Sequence, residues 1–135
     1  MCRIDVGELR SERGSILIGL ALAATAIVLA AGVGLIGAGM AAQGQASSAA
    51  DAAALAAAPV TFAPFGARGT PAEEAARFAS ANGARLERCL CRIDRSFASR
   101  TVTVTVSRAV ALPALGWLRL RATSSATFEP VSYTH

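Results

Sequence analysis

Few side chains in this 135-residue chain have types that do chemistry: Cys2, Cys89 and Cys91, the neighbours Glu73 and Glu74, and a single histidine, His135. Structural zinc takes four ligands and catalytic zinc three plus an open position, which one C-x-C and one terminal histidine do not supply. A Ser-His-Asp relay would also depend on His135, at a terminus that frays. Glu73 and Glu74 fit the first turn of a helix, where negative charge is favoured. The glycines form no phosphate cradle; they lie inside an apolar run. The expectation is a protein that is not an enzyme, with no cofactor and no metal.

Charge adds little to this. All thirteen basic residues are arginine. Residues 1–13 are neutral overall, whereas after Thr61 ten arginines face five carboxylates, about +5 for the distal part. Such a surface suits a solvated exterior or an acidic polymer. No aromatic-rich or helix-turn-helix pattern accompanies it, so no specific nucleic-acid partner is expected.

The dominant element is "ERGSILIGLALAATAIVLAAGVGLIGAGM", in which Ser15 to Met40 gives 26 residues without charge or proline. About 20 apolar residues cross a hydrocarbon core, and a cleavable secretion signal has an apolar stretch of only about 7–15. The run therefore reads as a retained anchor rather than a signal cut after the small residues that follow it. Arg3, Arg10 and Arg13 precede it and the next basic residue is Arg68, which keeps the N-terminus cytoplasmic and puts the rest outside the cell membrane. Ala30, Gly34, Ala38 and Ala42 recur every four residues, a spacing that lets helices approach closely in lipid. Composition this rich in Ala and Gly also produces that spacing by itself.

Helical character continues through "AAQGQASSAADAAALAAAP", since alanine is the best helix former and Pro59 ends the pattern. Leu55 is the one large apolar side chain there, so the segment needs a partner, either the downstream domain or another copy. "PVTFAPFGARGTP" reads as a loop. Thr70, Pro71 and Glu73 form a capping-box start for a short helix that stops at Gly83. Three strands follow: an imperfect one in "ARLERCLCRID", the clear "RTVTVTVSR" with Val102, Val104 and Val106 on one face, and "WLRLRATSSATF". Between the second and the third, "VALPALG" breaks the pattern. Cys89 and Cys91 share a strand face, where a mutual bond would be strained. Outside the membrane disulfides are allowed, so each is read as a buried thiol or as a disulfide partner for another molecule.

The organisation is thus α+β and pilin-like: a leader (1–14), a transmembrane and Ala-rich helix (15–58), a loop (59–70) and a small extracytoplasmic head (71–135) with a short helix and about three antiparallel strands. The segments "ERGSILIGLALAA", "QASSAADAAALAAA", "ARFASANGARLERCLCRID" and "TVTVTV" resemble the TadE/TadG-like pseudopilins of tight-adherence (Flp-type) pilus systems, most of all the small actinobacterial members. That resemblance spans Arg13 to about Val106. It implies a structural role as a minor pseudopilin or assembly component of an envelope-spanning pilus or secretion system, with other pilus subunits and the membrane as partners. It further implies cleavage between Gly14 and Ser15 by a prepilin peptidase. Type IV pilins carry Glu five residues after that cut and this chain has Gly19, which makes an uncleaved anchored accessory the variant of the same reading. The alternative is a bitopic envelope protein whose Arg-rich head binds a ligand or cell-wall polymer.

Overall fold

The computed structural model describes residues 6–62, 69–112 and 116–131, with the side chains of residues 6–13 set aside. The chain forms two compact units, Met1–Gly37 and Ala38–His135. Helix α1 (Val6–Val60) contributes to both.

In the first unit every side chain from Gly14 to Gly34 is exposed. The apolar window here has a mean hydropathy of 2.6 and none of it is buried. A helix that is apolar all round, with no protein against it, suits lipid rather than water. Length and composition are compatible with a single membrane-spanning helix. Its one hydroxyl in mid-run, Thr25 Oγ1, donates to the Ala21 carbonyl at 2.8 Å, which leaves no polar hydrogen seeking a partner in hydrocarbon.

The second unit, the head, begins with the last part of α1. Ala42, Ala46, Ala49, Ala50, Ala53, Ala54, Ala57 and Ala58 are buried, at the spacing of a single helical face. Leu55 lies on the opposite side and is 67% exposed. The terminal turn holds Pro59. Beyond it the chain is closed by Thr61 N to Ala58 O at 3.2 Å and Phe62 N to Pro59 O at 3.1 Å. Helix α2 (Pro71–Ala81) starts as expected: Thr70 Oγ1 accepts from Glu73 N at 3.2 Å, and Glu73 Oε2 accepts from Thr70 N at 2.7 Å. It stops in a Schellman arrangement, with Gly83 N to Ser80 O at 3.0 Å and Ala84 N to Ala79 O at 2.9 Å. Gly83 supplies the required left-handed residue at φ +70°.

Strands β1 (Arg85–Leu90), β2 (Arg100–Leu112) and β3 (Gly116–Phe128) form an antiparallel sheet in the order β1-β2-β3. The β2–β3 register is regular throughout, from Arg100↔Phe128 to Leu112↔Gly116. β2 therefore runs into "VALPALG" as far as Leu112, further than the alternation in the sequence suggests. β1 has an irregularity between Leu86 and Arg88, which accounts for its imperfect pattern. Val102, Val104 and Val106 are essentially inaccessible and cluster with the α1 alanines, Ala75 and Ala79 of α2, and Ala122 and Ala126 of β3. The partner that the Ala-rich segment requires is its own head.

Because the α1 face is alanine throughout, the space above the valines has no room for a larger side chain. Ala53→Leu is expected to destabilise the head by about 1–3 kcal/mol through overpacking. Leu55→Ala, two residues on but exposed, should change stability by less than about 0.5 kcal/mol. Chemical denaturation of the full chain in detergent, followed by circular dichroism, separates the two.

Candidate interaction surfaces

The face of the sheet opposite the valines is lined with hydroxyls. Thr101 faces Thr127 at 3.3 Å, Thr103 faces Ser125 at 2.9 Å, and Thr105 faces Thr123 at 3.0 Å. Each pair sits at directly opposed positions of the β2–β3 register. Cross-strand hydroxyl pairs of this kind stabilise the sheet while leaving a polar surface. At its end Glu87 accepts from Arg121 Nε at 3.0 Å and has Arg119 at 3.9 Å. The Glu87 carboxyl is held below the ordinary carboxylate range, first by a hydrogen bond from Ser107 and then by the guanidinium groups of Arg121 and Arg119.

A second cluster fastens the β1–β2 connection to the end of α1. Arg100, the first residue of β2, donates to the carbonyl oxygens of Asp94, Ser96 and Ala98, and to Thr61 O at 3.4 Å. Its guanidinium lies 5.5 Å from the Phe62 ring centre. Phe62 meets Phe97 edge-on at 5.2 Å and Phe128 at 6.1 Å. Asp94 N donates to Thr61 O at 3.0 Å. The Asp94 carboxylate accepts from Ser96 N at 2.9 Å, and this bond is the leading reason its pKa lies below the ordinary value. An arginine with five donors suits this gathering of carbonyls.

The residues singled out in the sequence fall in different surroundings. Gly14 and Ser15 lie within α1 and are exposed. Ala30, Gly34 and Ala38 are exposed too, whereas Ala42 is 6% exposed and buried. The stripe of four is thus three accessible positions and one enclosed by the protein itself. Cys89 and Cys91 are bonded to each other, rather than standing as separate thiols. The physical reason is that β1 ends at Leu90. Cys91 is released from strand geometry, and the Cα–Cα distance of 5.3 Å falls within the normal disulfide range, below the ~6.6 Å of two residues along a regular strand. Cys2 and His135 lie outside the described residues. Among the described residues no three His, Cys, Asp or Glu side chains come together as a metal site would need.

Sequence reasoning missed Arg100 and Phe62, and also the bond from Ser124 Oγ to Asp51, which ties β3 to α1. It saw the threonines of β2 but not their partners. The alternation of Thr123, Ser125 and Thr127 with Ala122 and Ala126 was the available signal. Compared with family models, with curated proteins and with solved structures, the chain matches none.

Both depressed carboxylates stabilise the head when ionised, so their contribution is complete above the unfolded pKa and is lost as pH falls through the lower, folded one. The parent head should therefore lose stability on acidification below about pH 4.5. Glu87→Gln/Asp94→Asn should be less stable at neutral pH but decline less steeply in acid. Denaturation midpoints measured across that range check this. Equal slopes for the two proteins would remove the assigned role.

Proposed function

We propose that the chain is a minor pseudopilin or TadE-like assembly component of an envelope-spanning pilus or secretion system, anchored by α1 with the head outside the membrane. The observation that carries this is the contrast within one helix. From Gly14 to Gly34 α1 is apolar and wholly exposed, while from Ala42 to Ala58 its alanine face is buried in a small antiparallel head. That division, with a short helix and a three-stranded sheet after it, is the layout that the resemblance implies. The role is structural, with the membrane, other pilus subunits and a prepilin peptidase as partners.

The glycines support the packing part of the reading. Adding a Cβ at Gly32, Gly34, Gly37 or Gly39 would meet nothing within 4 Å. Each glycine costs a helix about 1 kcal/mol relative to alanine in water, and the fold of a single chain gains nothing in return. Close approach of another helix is the physical use that remains for them. Ala30, Gly34 and Ala38 would form the contact, and Ala42 belongs to the head.

The mass of the N-terminal peptide from purified membranes tests the assignment. A chain beginning at Ser15 is expected for prepilin-type processing between Gly14 and Ser15. A start beyond Met40 would remove the anchor and this reading with it, and an intact leader would leave the uncleaved assembly accessory. Gly34→Leu supplies the second test. The chain itself has space for the leucine, so membrane insertion and head stability should be unchanged while cross-linking to neighbouring subunits falls several-fold. Unaltered cross-linking would exclude this helix face as the contact.

A further inference from the structure

The outer face of the sheet continues beyond its hydroxyls. On β3 it runs from Thr127, Ser125 and Thr123 to Arg121, Arg119 and Trp117, which alternate with the inward residues and are all exposed. Opposite them on β2 stand Thr101, Thr103, Thr105, Ser107, Ala109 and Ala111. Between Thr127 and Trp117 this strip is about 33 Å long, at about 3.3 Å per residue. β1 widens its middle, where Arg85 faces Ser107, Arg88 faces Thr105 and Leu90 faces Thr103. All of these residues belong to the head.

The strip combines an open aromatic ring, an excess of positive charge and a row of hydroxyls. Trp117 is 80% exposed, and its cross-strand neighbour is Ala111, too short to cover an indole ring. Arg85, Arg88, Arg119 and Arg121 face the single carboxylate of Glu87, so the strip is a surface for anions. Glu87 lies 3.0 Å from Arg121 Nε and 3.9 Å from Arg119. The arginine pair thus already receives one carboxylate, through one of the five donors of Arg121. In each hydroxyl pair one O–H donates to its neighbour, and the other can donate outward. A protein partner would need an apolar centre, and a single-stranded nucleic acid a series of rings to stack on. Trp117 is the one ring among the described residues of the strip, and Leu90 the one large aliphatic side chain. A sugar chain needs what is present: a ring for its C–H face, hydroxyls to exchange hydrogen bonds, and guanidinium groups for its carboxylates.

We infer that this strip binds a carboxylate-bearing polysaccharide. A sugar ring stacks on Trp117, neighbouring carboxylates bind Arg119 and Arg121, and sugar hydroxyls meet the Thr and Ser pairs. The site lies wholly in the head and does not rest on the assembly role. Trp117 is the sole tryptophan, so the emission of the full chain in uncharged detergent reports the site directly. Titration with galacturonate oligomers should shift that emission saturably, and uncharged dextran oligomers should leave it unmoved. Arg119→Gln/Arg121→Gln should weaken galacturonate binding by about tenfold, the loss of two charge-assisted contacts. Arg77→Gln/Arg108→Gln removes the same charge from α2 and from the valine-bearing face of β2, and should leave the affinity unchanged. Equal losses in the two double variants mean that net charge alone attracts the oligomer, which overturns the site. Polyglutamate bound as tightly as galacturonate has the same consequence, since it carries carboxylates without sugar rings. Tighter binding of an oligothymidylate assigns the strip to nucleic acid and overturns the proposal, as does the lack of any saturable shift with galacturonate.

Discussion

The head depends on how closely an alanine-faced helix can lie against a valine-faced sheet. Alanine gives up little side-chain entropy on burial and valine little more, because both have few or restricted rotamers. Seven buried alanines on α1 cluster with Val102, Val104 and Val106, so a core whose fully buried members are alanine and valine, with Leu86 and Phe128 packed partly buried against it, can still be dense. The limitation is area. Each contact buries a small surface, and the stabilisation per residue is correspondingly modest. The other features of the head add to that thin core: the capped ends of α2, the hydroxyl pairs across β2 and β3, the Cys89–Cys91 bond and the gathering of carbonyls around Arg100. They act at the periphery, where backbone ends and connections would otherwise loosen a domain with little apolar mass.

What was readable in the sequence follows from the same composition. The start of α2 was legible to the residue and its end, at Ala81, to within a residue, because its boundaries are set locally, by Thr70, Pro71, Glu73 and Gly83. The two faces of β2 were legible because valine and threonine alternate. The inward face of α1 was not, since a segment that is alanine on every side has no periodicity to read. Only the sheet decides that Ala53 is covered and Leu55 is not. Arg100 was illegible for a related reason. Its partners are backbone carbonyls and a ring distant in sequence, and nothing in an isolated arginine before a strand announces them. The pairing of the cysteines was misjudged because it depends on where β1 ends, a boundary one residue from Cys91.

The two parts of α1 solve opposite solvation problems with nearly the same residue types. In the first unit large side chains such as Ile16, Leu20, Ile27 and Val33 are exposed on every side, an arrangement that water penalises and hydrocarbon does not. In the head the buried face of the helix carries no large apolar residue, and the sheet supplies them instead. A helix of this kind is not interchangeable end for end, because lipid contact requires bulk on all faces while close packing on a sheet requires its absence on one.

Glycine marks where the first rule is relaxed. Gly32, Gly34, Gly37 and Gly39 interrupt the bulky surface on either side of Ala38, where the head begins, and a Cβ added at any of them would meet nothing within 4 Å. Lipid chains fill such a groove loosely, since they gain no shape-specific contact there, whereas a second helix can bring its backbone into it and gain dispersion and Cα–H···O contacts. In the head, by contrast, small residues are already matched by valines and offer nothing further to a partner. In the proposed assembly role, association through α1 falls to its glycine-bearing stretch, because the buried face of the alanine-bearing stretch is taken up by folding. Ala42, buried next to three exposed positions of the same four-residue stripe, stands at the boundary between the two uses.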